Sequence, residues 1–196
     1  MGKRIVKIIH IITGLSTGGA EMMLYKLLSQ INRDEFQSEV ISLTDAGPVA
    51  DKIRGLGVPI HILDMKRGIP NPVALVKLTL LLRQKKPDLI QTWLYHSDLI
   101  GGLAAKLAGR INTFWGIRQS NIDAGSNKRS TIWIAKTCAR LSSWLPEKII
   151  CCSYAALESH LALGYSKEKM LVIPNGFNLD TFHPDKNSRN SVRKEL

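Results

Sequence analysis

Ile5-Val6-Lys7-Ile8-Ile9-His10-Ile11-Ile12 runs into Thr13-Gly14-Leu15-Ser16-Thr17-Gly18-Gly19, and Ala20-Glu21-Met22-Met23-Leu24 follows. A β-branched run of this length reads as a buried strand, the glycines as a turn, and residues 20–30 as a helix. The same unit recurs along the chain. Strands are predicted over 39–43, 58–63, 88–93, 112–117, 148–152 and 170–173. Between them, helices are predicted over 48–56, 72–86, 97–108, about 126–145 and 154–163. Asn71 before Pro72 is a cap-then-proline helix start, Pro87 stops that helix, and Gly57, Gly109 and Gly164 close three others. Strict alternation of strand and helix implies an α/β fold, a Rossmann-like parallel sheet with helices on both faces. Ligands of such sheets sit beyond the carboxyl ends of the strands. The loops there are therefore the places to look for function.

The pattern changes near the end. Residues 1–177 read as one Rossmann-like domain; 178–196 are polar, with a linker over 184–188 and a helix beginning at Ser191. The expectation is a chain that passes out of its first domain and into the start of another.

Composition narrows the classes. The 196 residues are 44% hydrophobic, with 27 basic and 16 acidic side chains and a formal charge of +11. A chain this long buries roughly 70% of its unfolded surface, and its apolar content excludes general disorder. Three cysteines, two of them adjacent (Cys151 and Cys152), make no disulfide framework and point to a reducing compartment. No run of about 18 uncharged apolar residues exists; the longest candidate, 73–82, contains Lys77. Lys3 and Arg4 before an apolar stretch imitate a signal peptide, but Lys7 and His10 interrupt it and no small-x-small cleavage site follows. The expected location is the cytoplasm.

The charge is concentrated. Residues 66–148 carry 14 basic and 4 acidic groups, which suits an anionic partner. Nucleic acid is not expected, because no recognisable motif is present and aromatics are only 6% of the chain. Part of the surplus lies on the fifth predicted helix. With Trp133 at zero on a wheel, Arg129, Lys136, Arg140 and Trp144 fall within about 60° of it, while Ile134, Cys138, Leu141 and Leu145 cluster near about 120°. Tryptophan beside snorkelling cations suits an anionic bilayer surface, so Arg129, Trp133, Lys136, Arg140 and Trp144 form a candidate membrane face. Packing of both tryptophans under loops, with solvated cations, is the other reading.

The glycine loop has the Gly14 to Gly19 separation of a P-loop, but Ala20-Glu21 stands where Lys-Ser/Thr is required, and no Gly-x-Gly-x-x-Gly is present. Glycines and a helix amino end favour a phosphate. A plain tight turn, with Glu21 complementing the helix dipole, fits equally well.

Here the residues resemble a family. Gly18-Gly19-Ala20-Glu21 between strand and helix, with Val172-Ile173-Pro174-Asn175-Gly176-Phe177-Asn178 and Phe182, is similar to glycosyltransferase family 4. Pro87-Asp88-Leu89-Ile90-Gln91-Thr92-Trp93-Leu94-Tyr95-His96 and Trp115-Gly116-Ile117-Arg118-Gln119-Ser120-Asn121 resemble one bacterial branch of it. The four motifs stand in the family's order over residues 5–182. The resemblance implies a GT-B enzyme, two Rossmann-like domains facing across a cleft, of which this chain is the N-terminal, acceptor-side one. It further implies retaining transfer of a sugar from a nucleotide-sugar donor to a polysaccharide or lipid-linked acceptor. The donor is a substrate, and neither cofactor nor metal is expected.

The resemblance places Gly18 and Gly19, with Glu21, at the donor-phosphate loop. It makes His96 and Arg118 catalytic candidates and Trp93 and Asn121 acceptor-side candidates. Many members have a histidine where Arg118 stands, and histidines at Gln91 and Trp93, whereas His96 matches a recurring position. His96 as a polar loop residue and Arg118 as a structural ion-pair partner are the plainer readings. The family's donor-gripping glutamates belong to the C-terminal domain, so this portion alone is expected to be inactive. Two alternatives are a GT-B sugar-nucleotide 2-epimerase and a non-catalytic module that binds polyanions.

Overall fold

The computed structural model describes residues 4–65, 72–122, 125, 127–177, 179 and 184–195. Asn71, Asp123, Ser126, Asn178 and Phe182 lie outside them, so the cap at Asn71 and the end of the last motif are not described. Seven strands form one parallel sheet: β1 (Val6–Ile12), β2 (Phe36–Ser42), β3 (Ile60–Ile62), β4 (Leu89–Trp93), β5 (Asn112–Ile117), β6 (Lys148–Cys151) and β7 (Met170–Val172). Their order is β3-β2-β1-β4-β5-β6-β7. The connecting helices are α1 (Gly19–Gln30), α2 (Gly47–Gly55), α3 (Pro72–Lys85), α4 (Tyr95–Gly109), α5 (Arg129–Leu141) and α6 (Tyr154–Ala162), with α7 (Lys186–Glu195) at the end.

Strand order runs outward in two directions from the β1–β4 pair, so right-handed crossovers put α1 and α2 on one face and α3 to α6 on the other. β1 is buried on both sides, and its period of two separates two cores. Ile9 and Ile11 pack with Ile41, Leu78, Leu82, Ile90 and Ala104 under α3 and α4. Ile12 packs with Leu24, Leu28, Val40, Ile53 and Trp93 under α1 and α2. Leu24 and Leu28 are fully buried and about one turn apart, each worth roughly 1.5–3 kcal/mol. A third cluster, around Trp115, Ile117, Cys138, Ile149 and Cys151, lies under α5 and α6.

Three expectations are corrected. The fifth helix ends at Leu141 rather than 145: the Ser142 hydroxyl donates to Ala139 O (2.6 Å) and accepts from Ser166 N (2.8 Å), and Leu141 O accepts from both Trp144 N and Leu145 N. Trp144 is therefore placed by a turn and not by the helical wheel. The linker expected over 184–188 is largely helix α7, opened by Asp185, whose Oδ2 accepts from Ser188 N (3.3 Å). The fourth helix starts two residues early, at Tyr95. Among the described residues, no helix is long and apolar enough to cross a membrane.

Candidate functional site

All strands are parallel, so their carboxyl ends gather at one edge. Ile12 is paired with Trp93, Trp93 with Gly116, Ile117 with Cys151, and Cys151 with Val172. The loops that follow converge beside the β1–β4 pair, where strand order reverses.

The glycine loop after β1 is strapped down from two sides. Leu15 is fully buried, and its carbonyl accepts from Val49 N (3.0 Å). Gly47, at φ +46, lies so close that a Cβ there would collide with the Leu15 carbonyl. Thr13 O accepts from the Thr44 hydroxyl (2.7 Å), and the Thr13 and Ser97 hydroxyls meet at 3.1 Å across the β1–β4 junction. Gly18 caps α1 in an extended conformation without a side chain to satisfy the helix amides. The Glu21 carboxylate folds back over that end and lies against Gly18, where a Cβ would collide with it. Both readings of the loop thus rest on one spot: an anion-favouring helix end with its own carboxylate drawn over it.

Arg118 follows β5. Its guanidinium lies over the Trp93 ring, 4.1 Å from the centroid, and Nη1 donates to Asn175 Oδ1 (3.1 Å) after β7. Burial lowers its pKa, against the opposing pull of Cys152, Asp98 and Cys151. Gly19, Ala20, Met22, Met23, Lys26, Arg118, Asn175 and Phe177 line one groove. Lys26 also stands over the Phe177 ring at 5.3 Å.

The structure thus brings Gly19 and Arg118 together, with Gly18 and Glu21 at the same helix end. His96 is half-buried in the first turn of α4, with its pKa lowered by burial, and does not line the groove. Asn121 is exposed, and its carbonyl accepts from Gln119 Nε2 and Asn127 Nδ2. Trp93 requires correction: at 1% exposure it offers no surface to an acceptor and serves as the floor beneath Arg118. Arg129, Trp133, Lys136 and Arg140 are exposed on α5, and Trp144 is exposed just after it.

Sequence reasoning missed Asp98. Fully buried on α4, it accepts from the Thr92 hydroxyl (2.5 Å). Burial pushes its carboxyl up to about 8, although Thr92, the Gly116 amide and Arg118 all favour the charged form. An Asp in a first helical turn reads as a solvated dipole partner, so nothing along the chain signals its burial. Asn175 was hidden the same way, as part of a Pro-Asn-Gly turn. Leu94, at the turn from β4 into α4, has φ +74 and ψ 151, a conformation that is essentially glycine's.

Three kinds of comparison bear on this chain. The family model for Glycosyltransferase Family 4 matches residues 17–181. The chain is 26% identical over 182 residues to CapH, a capsular polysaccharide biosynthesis glycosyltransferase of Staphylococcus aureus, covering 91% of this chain and 49% of that protein. It is 25% identical over 178 residues to the N,N'-diacetylbacillosaminyl-diphospho-undecaprenol alpha-1,3-N-acetylgalactosaminyltransferase of Campylobacter jejuni, covering 87% and 47%. The structure of Anabaena HepE in complex with UDP superposes with a TM-score of 0.75 at 17% identity, over 97% of this chain and 50% of that one. The chain spans about half the length of the curated relatives it matches.

Proposed function

The chain belongs to Glycosyltransferase Family 4, and from that membership we propose that it forms the acceptor-side half of a retaining enzyme moving a sugar from a nucleotide-sugar donor to a polysaccharide or lipid-linked acceptor. The observation that carries this reading is the shared groove of Gly19, at the amino end of α1, and Arg118, after β5. Helix amides and a guanidinium are the groups that stabilise a departing diphosphate without a metal ion. In this reading the diphosphate meets the loop at Gly18 and Gly19 and displaces the Glu21 carboxylate that lies there. The remaining donor contacts belong to a second domain, so this half binds weakly and does not turn over alone. His96, on the α4 side of the same edge, is assigned to the reacting sugar and acceptor, and Asn121 to the acceptor. HepE is described in complex with UDP, and the Campylobacter relative is named for a lipid diphosphate acceptor, which supports both substrate classes.

The test is a titration of the labelled chain with UDP, followed by NMR. Shifts at the Gly18 and Gly19 amides and at Arg118, strengthened several-fold in Glu21→Gln, are expected. Absence of any change at those groups up to tens of millimolar UDP would overturn the reading.

A second reading concerns location. Trp133 and Trp144 are 64% and 58% exposed, and Arg129, Lys136 and Arg140 are exposed near Trp133 on α5. Large exposed aromatics among cations favour an anionic bilayer surface, so the enzyme is assigned to the cytoplasmic leaflet, where a lipid-linked acceptor would be met.

A further inference from the structure

Helices α3, α4 and α5 pack side by side on one face of the sheet, and Arg83 of α3 donates Nη2 to Leu107 O of α4 (2.8 Å). The charge of this layer is one-sided. Its three helices hold seven basic side chains, and neither α3 nor α5 contains an acidic one. The single carboxylate, Asp98 on α4, is fully buried. Elsewhere the signs mix: Glu21 and Asp51 stand among the cations of α1 and α2, and Glu158 is exposed on α6. Apolar side chains accompany the cations of the layer. Val73, Val76 and Leu80 lie within about 60° of one another around α3, each more than half exposed, and Lys77 is exposed beside them. A stripe at this spacing ordinarily faces a core, but the core side of α3 is already filled by Ala74, Leu78 and Leu82. Leu107, at the end of α4, is likewise more than half exposed. Aliphatic surface gathered in this way marks a contact.

We propose that α3 is a second membrane-contacting element: the α3–α4–α5 layer docks on an anionic bilayer, with Val76 and Leu80 entering the headgroup region alongside Trp133. This rests on the membrane reading of α5 and extends it to a stripe that contains no aromatic residue. Charge decides the occupant. A second copy of the chain would set seven cations against seven, and a nucleic acid would leave the aliphatic stripe with nothing to bury against. An anionic bilayer meets both demands, because headgroup phosphates take the cations and the acyl boundary takes valine and leucine. The layer also has a direction. Each crossover helix of a parallel sheet begins at the carboxyl edge of the strands, so Val73, Val76 and Trp133, all within about the first two turns of their helices, stand at the end nearest the loops after β4 and β5. A lipid-linked acceptor lying in the plane of that contact would reach the edge where Gly19 and Arg118 meet.

The test is co-sedimentation of the chain with vesicles of phosphatidylcholine containing phosphatidylglycerol, with pure phosphatidylcholine vesicles as the control. Val76→Ala/Leu80→Ala is expected to bind the anionic vesicles several-fold more weakly than wild type. It should melt at the wild-type temperature, since both side chains are more than half exposed and alanine favours the helix. Lys77→Glu is expected to weaken binding too, with a smaller deficit at high salt. Leu27→Ala, an exposed apolar residue of α1 on the opposite face, should bind as wild type does. Equal binding by Val76→Ala/Leu80→Ala and wild type overturns the inference; a loss in Trp133→Ala/Trp144→Ala alone then leaves the membrane reading standing on α5. Wild-type binding that is absent, or equal on anionic and neutral vesicles, overturns both. Sedimentation velocity covers the remaining occupant: a wild-type dimer that Val76→Ala/Leu80→Ala converts to monomer would make this face a contact between copies and overturn the inference.

Discussion

Trp93 Nε1 donates to His10 Nδ1 at 3.4 Å, joining β4 to β1 beneath the glycine loop, with both residues 1% exposed. The bond requires Nδ1 to be unprotonated, so His10 is neutral with its proton on Nε2. Burial lowers its pKa to about 4. An unfolded histidine takes up its proton near 6.5, so between 6.5 and about 4 the unfolded chain binds more protons. Stability is therefore full above about pH 6.5 and falls as pH drops toward 4, by about 3 kcal/mol from this residue. Urea unfolding across that range should show the slope. His10→Asn, which keeps an acceptor for Trp93, should be less stable at pH 7 and lose part of the slope.

Gly47 sets the shape of the glycine loop after β1. Gly47→Ala meets the Leu15 carbonyl and needs φ +46, and should cost about 1–3 kcal/mol. Gly55→Ala, in open space on the same helix, should be within about 1 kcal/mol of wild type. Thermal melts of the two variants check this. Equal losses would mean that the close approach of α2 to the loop does not matter.

Leu94 stores backbone strain at the start of α4. Leu94→Ala removes side-chain contacts and keeps the strain, whereas Leu94→Gly removes both. Leu94→Gly should therefore be the more stable of the two by about 1 kcal/mol or more, the reverse of the order in an ordinary helix. Denaturant midpoints measured side by side decide it.

The α5 surface predicts lipid dependence. Co-sedimentation with vesicles containing anionic phospholipid should fall several-fold in Trp133→Ala/Trp144→Ala, and should weaken with added salt. Fold and melting temperature should be unchanged, because both side chains are largely exposed. Binding equal to wild type would remove the membrane assignment.

The strand-and-helix plan was readable because it is local. β-branched runs such as 5–12 and the glycine and proline stops act within a few residues, and the observed elements differ from the expected ones mainly at their ends. The largest misplacements, at Trp144 and at α7, arose where one hydrogen bond outweighed the local reading: Ser142 to Ala139 against a helical period, and Ser188 to Asp185 against a polar, turn-like composition. The glycine loop could be singled out from residue type and position, and Arg118 from the resemblance of its motif to the family. Their partners could not.

Local sequence pattern was enough to give the alternation of elements, hence the parallel sheet, and the edge at which the loops collect. Tertiary packing is what makes Trp93 a floor and not a contact, lays Glu21 against Gly18, and encloses Asp98 beside the Thr92 hydroxyl. The physical reason is separation. Burial and electrostatic coupling depend on what packs from elements tens of residues away, as Arg118 meets Trp93 and Asn175, and no local pattern encodes those neighbours.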